Sequence, residues 1–339
     1  MLSRTTYSLP SFAVFPHRIK ALCTLEKIPL FLLYIPPVTT ATSVSECFLL
    51  GRLGRVESGD HIQCSKVNIH NSLILPLGHQ YRMIFDQEAW NGLYKGVAFL
   101  PLNKEEGGGG FVVLVNYTNM LLELTSSVMK WRLCLQVSSN ATCEDLVAFR
   151  GRFYATFHNG DVLVIDPYSL VKTPLTPSQP LISNKYLVRS GDDELFLVEI
   201  YNPHRVFDSN RFICRVSRLD EEAGRWVVVT ELGDRVFFIG HFGNVCCSAK
   251  KLPYGCGVSG NSIVFTNGRR NVTYAYKYGV HTGREEDDLN CWRFSRENRV
   301  TIISTSPMVA LRIERLSLSH KSNFGYLRHP LLKIRSLCI

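Results

Sequence analysis

Residues 145–166 read DLVAFRGRFYATFHNGDVLVID, and this stretch decides the fold. Asn159 and Gly160 are the residue pair that supplies positive φ angles in a tight primed hairpin turn. The arms on either side alternate as strands do, with Phe153, Ala155 and Phe157 pointing one way. On the return arm Val162, Val164 and Asp166 form one face, and Leu163 and Ile165 the other. Apolar residues on both faces predict strands buried between layers rather than a surface ribbon.

The same grammar extends outward. Phe111–Val115 and Met120–Leu124 are apolar runs joined by the turn-like residues 116–119, and Lys104–Gly110 (KEEGGGG) is a loop. A second hairpin joins Phe212–Leu219 to Trp226–Leu232 through Asp220–Arg225, where Gly224 permits the bend. A third runs Ser262–Thr266, turns at Asn267 and Gly268, and returns through Val272–Tyr278. Leu195–Ile200 and Val236–Ile239 are further short strands. Turn signals recur about every eight to fifteen residues, the spacing of a sandwich, barrel or propeller. Residues 60–305 are too many for a simple sandwich, whereas blades of about 40–50 residues give five or six of them. The expected fold is therefore all-β, a β-propeller of five or six blades with irregular N- and C-terminal ends. Its expected divisions are an atypical leader (1–59), the propeller (60–310) and a basic irregular tail (311–339).

Composition bounds the function. A chain of 339 residues with 45% hydrophobic content can build a large core. Its net charge of +9 is concentrated at the ends: residues 1–45 carry four basic groups and one acidic, residues 311–339 six and one. The body is nearly neutral, which argues against a broad phosphate-binding face and so against nucleic acid as a partner. Eleven scattered cysteines and the lack of a secretory signal pattern fit a reducing compartment, cytoplasm or nucleus. The Ser/Thr-rich first 45 residues carry Arg4, Arg18 and Lys20 before their first acid at Glu26, so an organellar address is the weaker alternative to an unstructured leader. Sequons stand at Asn116, Asn140 and Asn271 and matter only on a secretory route. The longest N-terminal apolar run, Ile28–Pro36, is well short of the ~20 residues that span a bilayer, and no transmembrane helix or membrane partner is expected.

Several motifs invite chemistry and are answered by their context. Gly255, Gly257 and Gly260 spell G-x-G-x-x-G, but no strand precedes and no helix follows to meet a pyrophosphate, so they read as an inter-strand loop. His241, Cys246, Cys247 and Cys256 contain no C-x-x-C spacing, and the cysteines read as small buried thiols in strands rather than zinc ligands. The acidic run Glu285–Asp288 reads as solvated. Tyr274–Tyr278 (YAYKY) and Trp292–Phe294 interleave aromatic and basic residues as base-stacking strands do, and equally as ordinary strands do. Hydrolase, zinc-protease and phosphate-loop signatures are missing. No catalytic, cofactor-binding or metal-binding residue is expected, and no cofactor.

Four segments occur together and in order: YLVRSGDDELFLVEIY from Tyr186, FICRVSRLDEEAGRWVVVTELGDRVFFIG from Phe212, SGNSIVFTN from Ser259 and YAYKYGVHTG from Tyr274. In this set the chain resembles the plant F-box-associated β-propeller family, the KIB-type propellers. The likeness is clear over 145–306, loose over 60–144 and not visible at the ends. It implies a substrate-recognition propeller that typically follows an F-box, the helical module that docks on a Skp-type adaptor of a cullin ubiquitin ligase. Here Leu9-Pro10 is followed by Pro16, which would break the next helix of such a module. The resemblance thus implies a protein-interaction module, either the substrate receptor of an SCF-type ligase or a propeller-only relative lacking the F-box. Loops near Asp208, Asp220–Gly224 and Glu285–Asp288 are the expected contributors to target binding. A glycan-acting propeller enzyme and an organelle-targeted propeller remain the alternatives. The first would require carboxylates facing each other in the central channel.

Overall fold

The structure is a computed structural model; it describes residues 5–12, 21–35, 46–51, 65–66, 73–85, 94–102, 110–117, 119–136, 141–175, 177, 183–201, 212–240, 243–269, 272–286, 298–305 and 309–315. Strands β1 (Thr5–Phe12), β2 (Ala21–Ile35) and β3 (Glu46–Gly51) form the first sheet together with β5 (Leu73–Phe85). The second sheet is β6 (Tyr94–Pro101), β7 (Phe111–Tyr117), β8 (Met120–Thr125) and β9 (Trp131–Gln136), in sequential order. The third follows the same plan with β10 (Cys143–Phe149), β11 (Arg152–Phe157), β12 (Val162–Ile165) and β13 (Lys172–Pro174). So does the fourth, with β14 (Asn184–Ser190), β15 (Glu194–Tyr201), β16 (Ile213–Asp220) and β17 (Arg225–Val229). The fifth departs from it. Here β18 (Arg235–Gly240), β19 (Gly243–Ser248), β20 (Ser262–Arg269), β21 (Val272–Gly279) and β22 (Arg284–Glu286) take the order β19-β18-β20-β21-β22, with β18 and β20 parallel. A further three-stranded sheet joins β23 (Asn298–Thr305) and β24 (Val309–Arg315) to β4 (Ser65–Lys66).

Five apolar clusters lie between the five blades and close them into a ring. Cys23, Leu25 and Met83 of the first blade pack on Val113 and Val115 of the second. Leu100 and Leu114 of the second meet Phe153, Ala155, Phe157 and Ile165 of the third. Tyr154 and Val162, on the opposite face of the third, meet Leu195, Leu197 and Trp226 of the fourth. Phe196 and Val198 meet Phe237, Ile263 and Phe265 of the fifth. Val236, Phe238 and Val264 return to Leu30 and Leu32 of the first. Each blade buries both faces, so its strands are apolar on both sides, as residues 145–166 predict. Each fully buried aromatic such as Phe153 or Phe237 adds about 1.5–3 kcal/mol of apolar burial.

The expected all-β propeller is thus present, with five blades, and no α-helix lies among the described residues. Three details differ from the sequence reading. The stretch 145–166 holds three strands and two turns. The two-residue primed turn is Arg150–Gly151, with φ of 43° and 74°, between the paired Phe149 and Arg152. At the expected site only Gly160 has a positive φ (101°). The turn is wider there, held by Phe157 N–H to Asp161 O and Gly160 N–H to Phe157 O, while Asn159 bonds Asp161 instead. In the β20–β21 pair Asn267 and Gly268 lie inside the ladder, opposite Tyr274 and Thr273, and the reversal falls after Arg269; continued backbone pairing outweighs the local turn preference.

The boundary expected at residue 59 is not a structural one. β2 pairs with β5 from Cys23–Phe85 to Tyr34–Leu73, so residues 21–35 are an integral strand of the first blade. Its prolines are placed where they cost least. On its other edge β2 pairs β1 as far as Lys27 and β3 from Leu30, so Pro29 sits in the gap between two partners. Pro10 of β1 sits in the register shift between Leu9 and Phe12. The tail boundary at 310/311 likewise falls within β24; residues beyond 315 lie outside the described set, as do 104–109 of the KEEGGGG loop.

Candidate binding rim and the ring that supports it

The innermost strands are β5, β6, β10, β14 and β19, which neighbour one another around the axis. Asp145 on β10 ties three blades together there. Its Oδ1 accepts from Leu146 N–H at 2.8 Å. Its Oδ2 accepts from Leu187 N–H on β14 and from the Asn244 amide on β19, both at 2.7 Å. Burial pushes the Asp145 carboxyl up to about 6 against the pull of these three donors. Next to it Glu144 accepts from Lys185 N–H at 2.9 Å and lies 2.8 Å from His158 Nδ1. Lys185 is fully buried, its Nζ donating to Ser183 O at 3.2 Å, and burial holds its pKa below the ordinary lysine value. His79 on β5 is held low by burial and then by Lys27 and Arg189. Both Glu144 and Asp145 are therefore engaged in blade-to-blade bonds rather than facing one another across a pocket.

Strands β6, β10, β14 and β19 run the same way, so the turns fall into two sets at opposite ends of the ring. At one end lie the turns β8–β9 (residues 126–130), β10–β11 (150–151), β12–β13 (166–171), β14–β15 (191–193) and β16–β17 (221–224). This rim is braced by ion pairs. Arg150 donates through Nε to Asp192 O at 3.1 Å and bridges Asp193 and Glu221, so the third blade clasps the fourth. Arg235 donates to Ser190 Oγ at 3.1 Å and pairs with Glu194, so the fifth clasps the fourth. All four non-glycine residues with positive φ among the described residues, Met129, Arg150, Leu170 and Asn261, lie at this end. Such backbone conformations persist where surrounding structure enforces them, and they cluster at functional surfaces.

Two of these turns present apolar side chains to solvent. The 126–130 turn is fixed by Ser126 N–H to Phe111 O, Phe111 N–H to Ser126 Oγ and Met129 N–H to Thr125 O, yet it leaves Val128 and Met129 exposed. In the 166–171 turn the Asp166 carboxylate accepts from Tyr168 N–H, Ser169 N–H and the Ser169 hydroxyl at 2.8–3.0 Å. The Ser169 N–H bond, followed by the Ser169 hydroxyl, holds the Asp166 pKa below the usual carboxylate range. Tyr168 and Val171 point outward from this turn, at 71% and 59% exposure.

The glycine motif occupies a loop after the 3-10 turn Ala249–Lys251, beside a depression of about 410 Å³ lined also by Tyr254 and Lys277. Each glycine has a backbone role: Gly255 and Gly257 have φ of 80° and 75°, and a Cβ on Gly260 would lie 2.6 Å from Gly233 O. No helix follows, as the sequence predicts. Cys256 is buried, and burial pushes the Cys247 thiol up to about 12; His241 lies outside the described residues.

Of the expected binding loops, Glu221–Gly224 is exposed on the braced rim, whereas Asp208, Asp287 and Asp288 lie outside the described residues. Glu285 and Glu286 are half-buried and engaged rather than simply solvated: Glu285 accepts from Phe212 N–H at 2.5 Å and Glu286 pairs with the buried Lys277 at 2.9 Å. Tyr276 packs between Phe212 and Phe265, and Tyr278 is buried, so this strand is core rather than a base-stacking platform. Trp292–Phe294 lies outside the described residues. Asn116 is 2% exposed and donates to Cys143 O, which removes its sequon from the folded surface; Asn140 and Asn271 lie outside the described residues. Asp145, Arg150, Met129 and Tyr168 were not anticipated. The Arg150-Gly151 dipeptide between alternating arms was the one available signal.

A five-bladed ring with a braced, loop-bearing rim defines the class of β-propeller domains. The family model of the KIB1-4 β-propeller matches residues 1–286, and the chain belongs to that family. The match begins at the first residue and so takes in the N-terminal segment where no likeness was visible. An F-box/kelch-repeat protein of Arabidopsis thaliana is 57% identical over 335 residues, spanning 93% of this chain and 86% of the relative. A second Arabidopsis thaliana F-box/kelch-repeat protein is 49% identical over 336 residues, covering 93% and 85%. A more distant F-box protein of the same plant is 28% identical over 236 residues, covering 60% and 73%.

Proposed function

We propose that this propeller grips a protein target through its braced rim, acting as the substrate receptor of an SCF-type ubiquitin ligase or as a propeller-only relative of such receptors. The observation that carries the reading is the rim itself: turns of adjacent blades clasped by Arg150 and Arg235, and at the same end two hydrogen-bonded turns that hold apolar side chains in solvent. Binding residues on loops fixed by a stiff scaffold are the usual division of labour in such folds. The names of the two F-box/kelch-repeat relatives support the link to a Skp-type adaptor and a cullin. On this reading the chain performs no catalysis, takes no cofactor, metal, nucleic acid or membrane as partner, and works in the cytoplasm or nucleus.

The test is affinity purification of the full chain from plant cells, probed for a Skp-type adaptor and cullin. Co-purification supports the ligase receptor. Their absence while other proteins are retained reduces the function to a propeller-only binder.

A further inference from the structure

The 126–130 and 166–171 turns flank one seam, that between the second and third blades, at the same end of the ring. Leu170, held at φ 58°, inserts between the second and third blades in the cluster that also contains Leu102. Gly110 lies against both Leu102 and Ser126, where the 126–130 turn begins. Val128, Met129, Tyr168 and Val171 are exposed large hydrophobics on the two turns that flank this seam. Apolar groups held out by hydrogen-bonded turns lose little freedom when a partner covers them.

The exposed charged side chains at this seam, Lys130, Arg132 and Lys172, are cationic. Lys130 is exposed on the first turn, and no carboxylate among the described residues pairs with it. Lys172 follows the second turn; it sits opposite Ile165 in the ladder, on the face toward the second blade, close enough to act on Cys134 of β9. Arg132 pairs with the buried Glu123 at 3.0 Å, leaving nearly half its own side chain in solvent. The acids nearby are Glu123, held by Arg132, and Asp166, whose Oδ1 is bound by its own turn.

We propose that this seam between the second and third blades is the docking surface for an acidic, leucine- and aromatic-bearing peptide segment of the target. The idea rests on the reading of the chain as an interaction module. Apolar residues of the segment would cover Met129 and Tyr168, and its carboxylates would meet Lys130 and Lys172, a pairing that fixes polarity and register more than raw affinity.

The test uses the full chain and two synthetic peptides of equal leucine and phenylalanine content, one with Asp and Glu between the apolar residues, the other with Lys and Arg. Fluorescence anisotropy is expected to show the acidic peptide binding at least tenfold tighter. A Met129→Ser/Tyr168→Ser variant should weaken it at least tenfold, and Lys130→Glu/Lys172→Glu should reverse the preference. Circular dichroism melts matching the parent would show that both variants fold. No binding of the acidic peptide, equal binding of both, or binding unchanged in both variants overturns the proposal. So does a concentration-dependent dimer that Tyr168→Ser abolishes, which would make the seam a self-association face. No adaptor is present in this assay, so its failure leaves the ligase reading standing, and loss of that reading leaves this result intact.

Discussion

The carboxylate of Asp145 and the amide of Asn244 lie 2.7 Å apart across 99 residues of sequence, joining the third blade to the fifth past the innermost strand of the fourth. The bond sits where three inner strands converge, and both carboxylate oxygens of Asp145 are engaged there.

Desolvation at this junction makes Asp145 a source of pH dependence. Its folded-state pKa of about 6 lies above its ordinary 3.8, so its contribution is fully present below pH 3.8 and is lost as the pH rises through 6. The shift corresponds to about 3 kcal/mol. Urea unfolding at pH 4 and pH 7 should show a stability loss in the parent that Asp145→Asn lacks. Equal losses in both would show that Asp145 does not carry it.

Leu32 is fully buried in the cluster that closes the ring. Leu32→Ala should lower unfolding free energy by about 2–5 kcal/mol, as truncation of a core leucine does. An independent leader would instead give a change within experimental error in chemical denaturation.

The central strands were legible because alternation and two-sided apolarity at residues 145–166 are direct consequences of burial between blades. The first blade was not, because Pro10 and Pro29 look like breaks unless one knows where β1 ends and β3 takes over beside β2. The rim was half legible. Glu221–Gly224 announces itself as a charged turn, but Met129 and Leu170 adopt positive φ without a glycine to advertise it.

Gly260→Ala should destabilise the chain by about 1–3 kcal/mol, because its Cβ would press on Gly233 O and the Asp234 Cα. Saturating NAD should leave the parent's melting temperature unmoved, whereas a true dinucleotide site would raise it. Differential scanning fluorimetry reads both.

Asn116 should remain unglycosylated when the chain is routed through a secretory host and recovered folded, since its amide is buried against Cys143 O. Intact glycopeptide mass spectrometry checks this. A glycan at Asn116 on folded protein would mean that β7 opens.

Closure of the ring by Leu30 and Leu32 against Val236 and Phe238 has a temporal side. On the ribosome the first blade emerges with one face ready, and its permanent cover arrives some two hundred residues later, roughly 10–40 s at ordinary elongation rates. Through that interval the nascent chain is an open arc with two sticky ends. Chaperones that shield apolar surface would find this chain a client during synthesis, and any pause in translation before residue 240 would lengthen its exposure to aggregation.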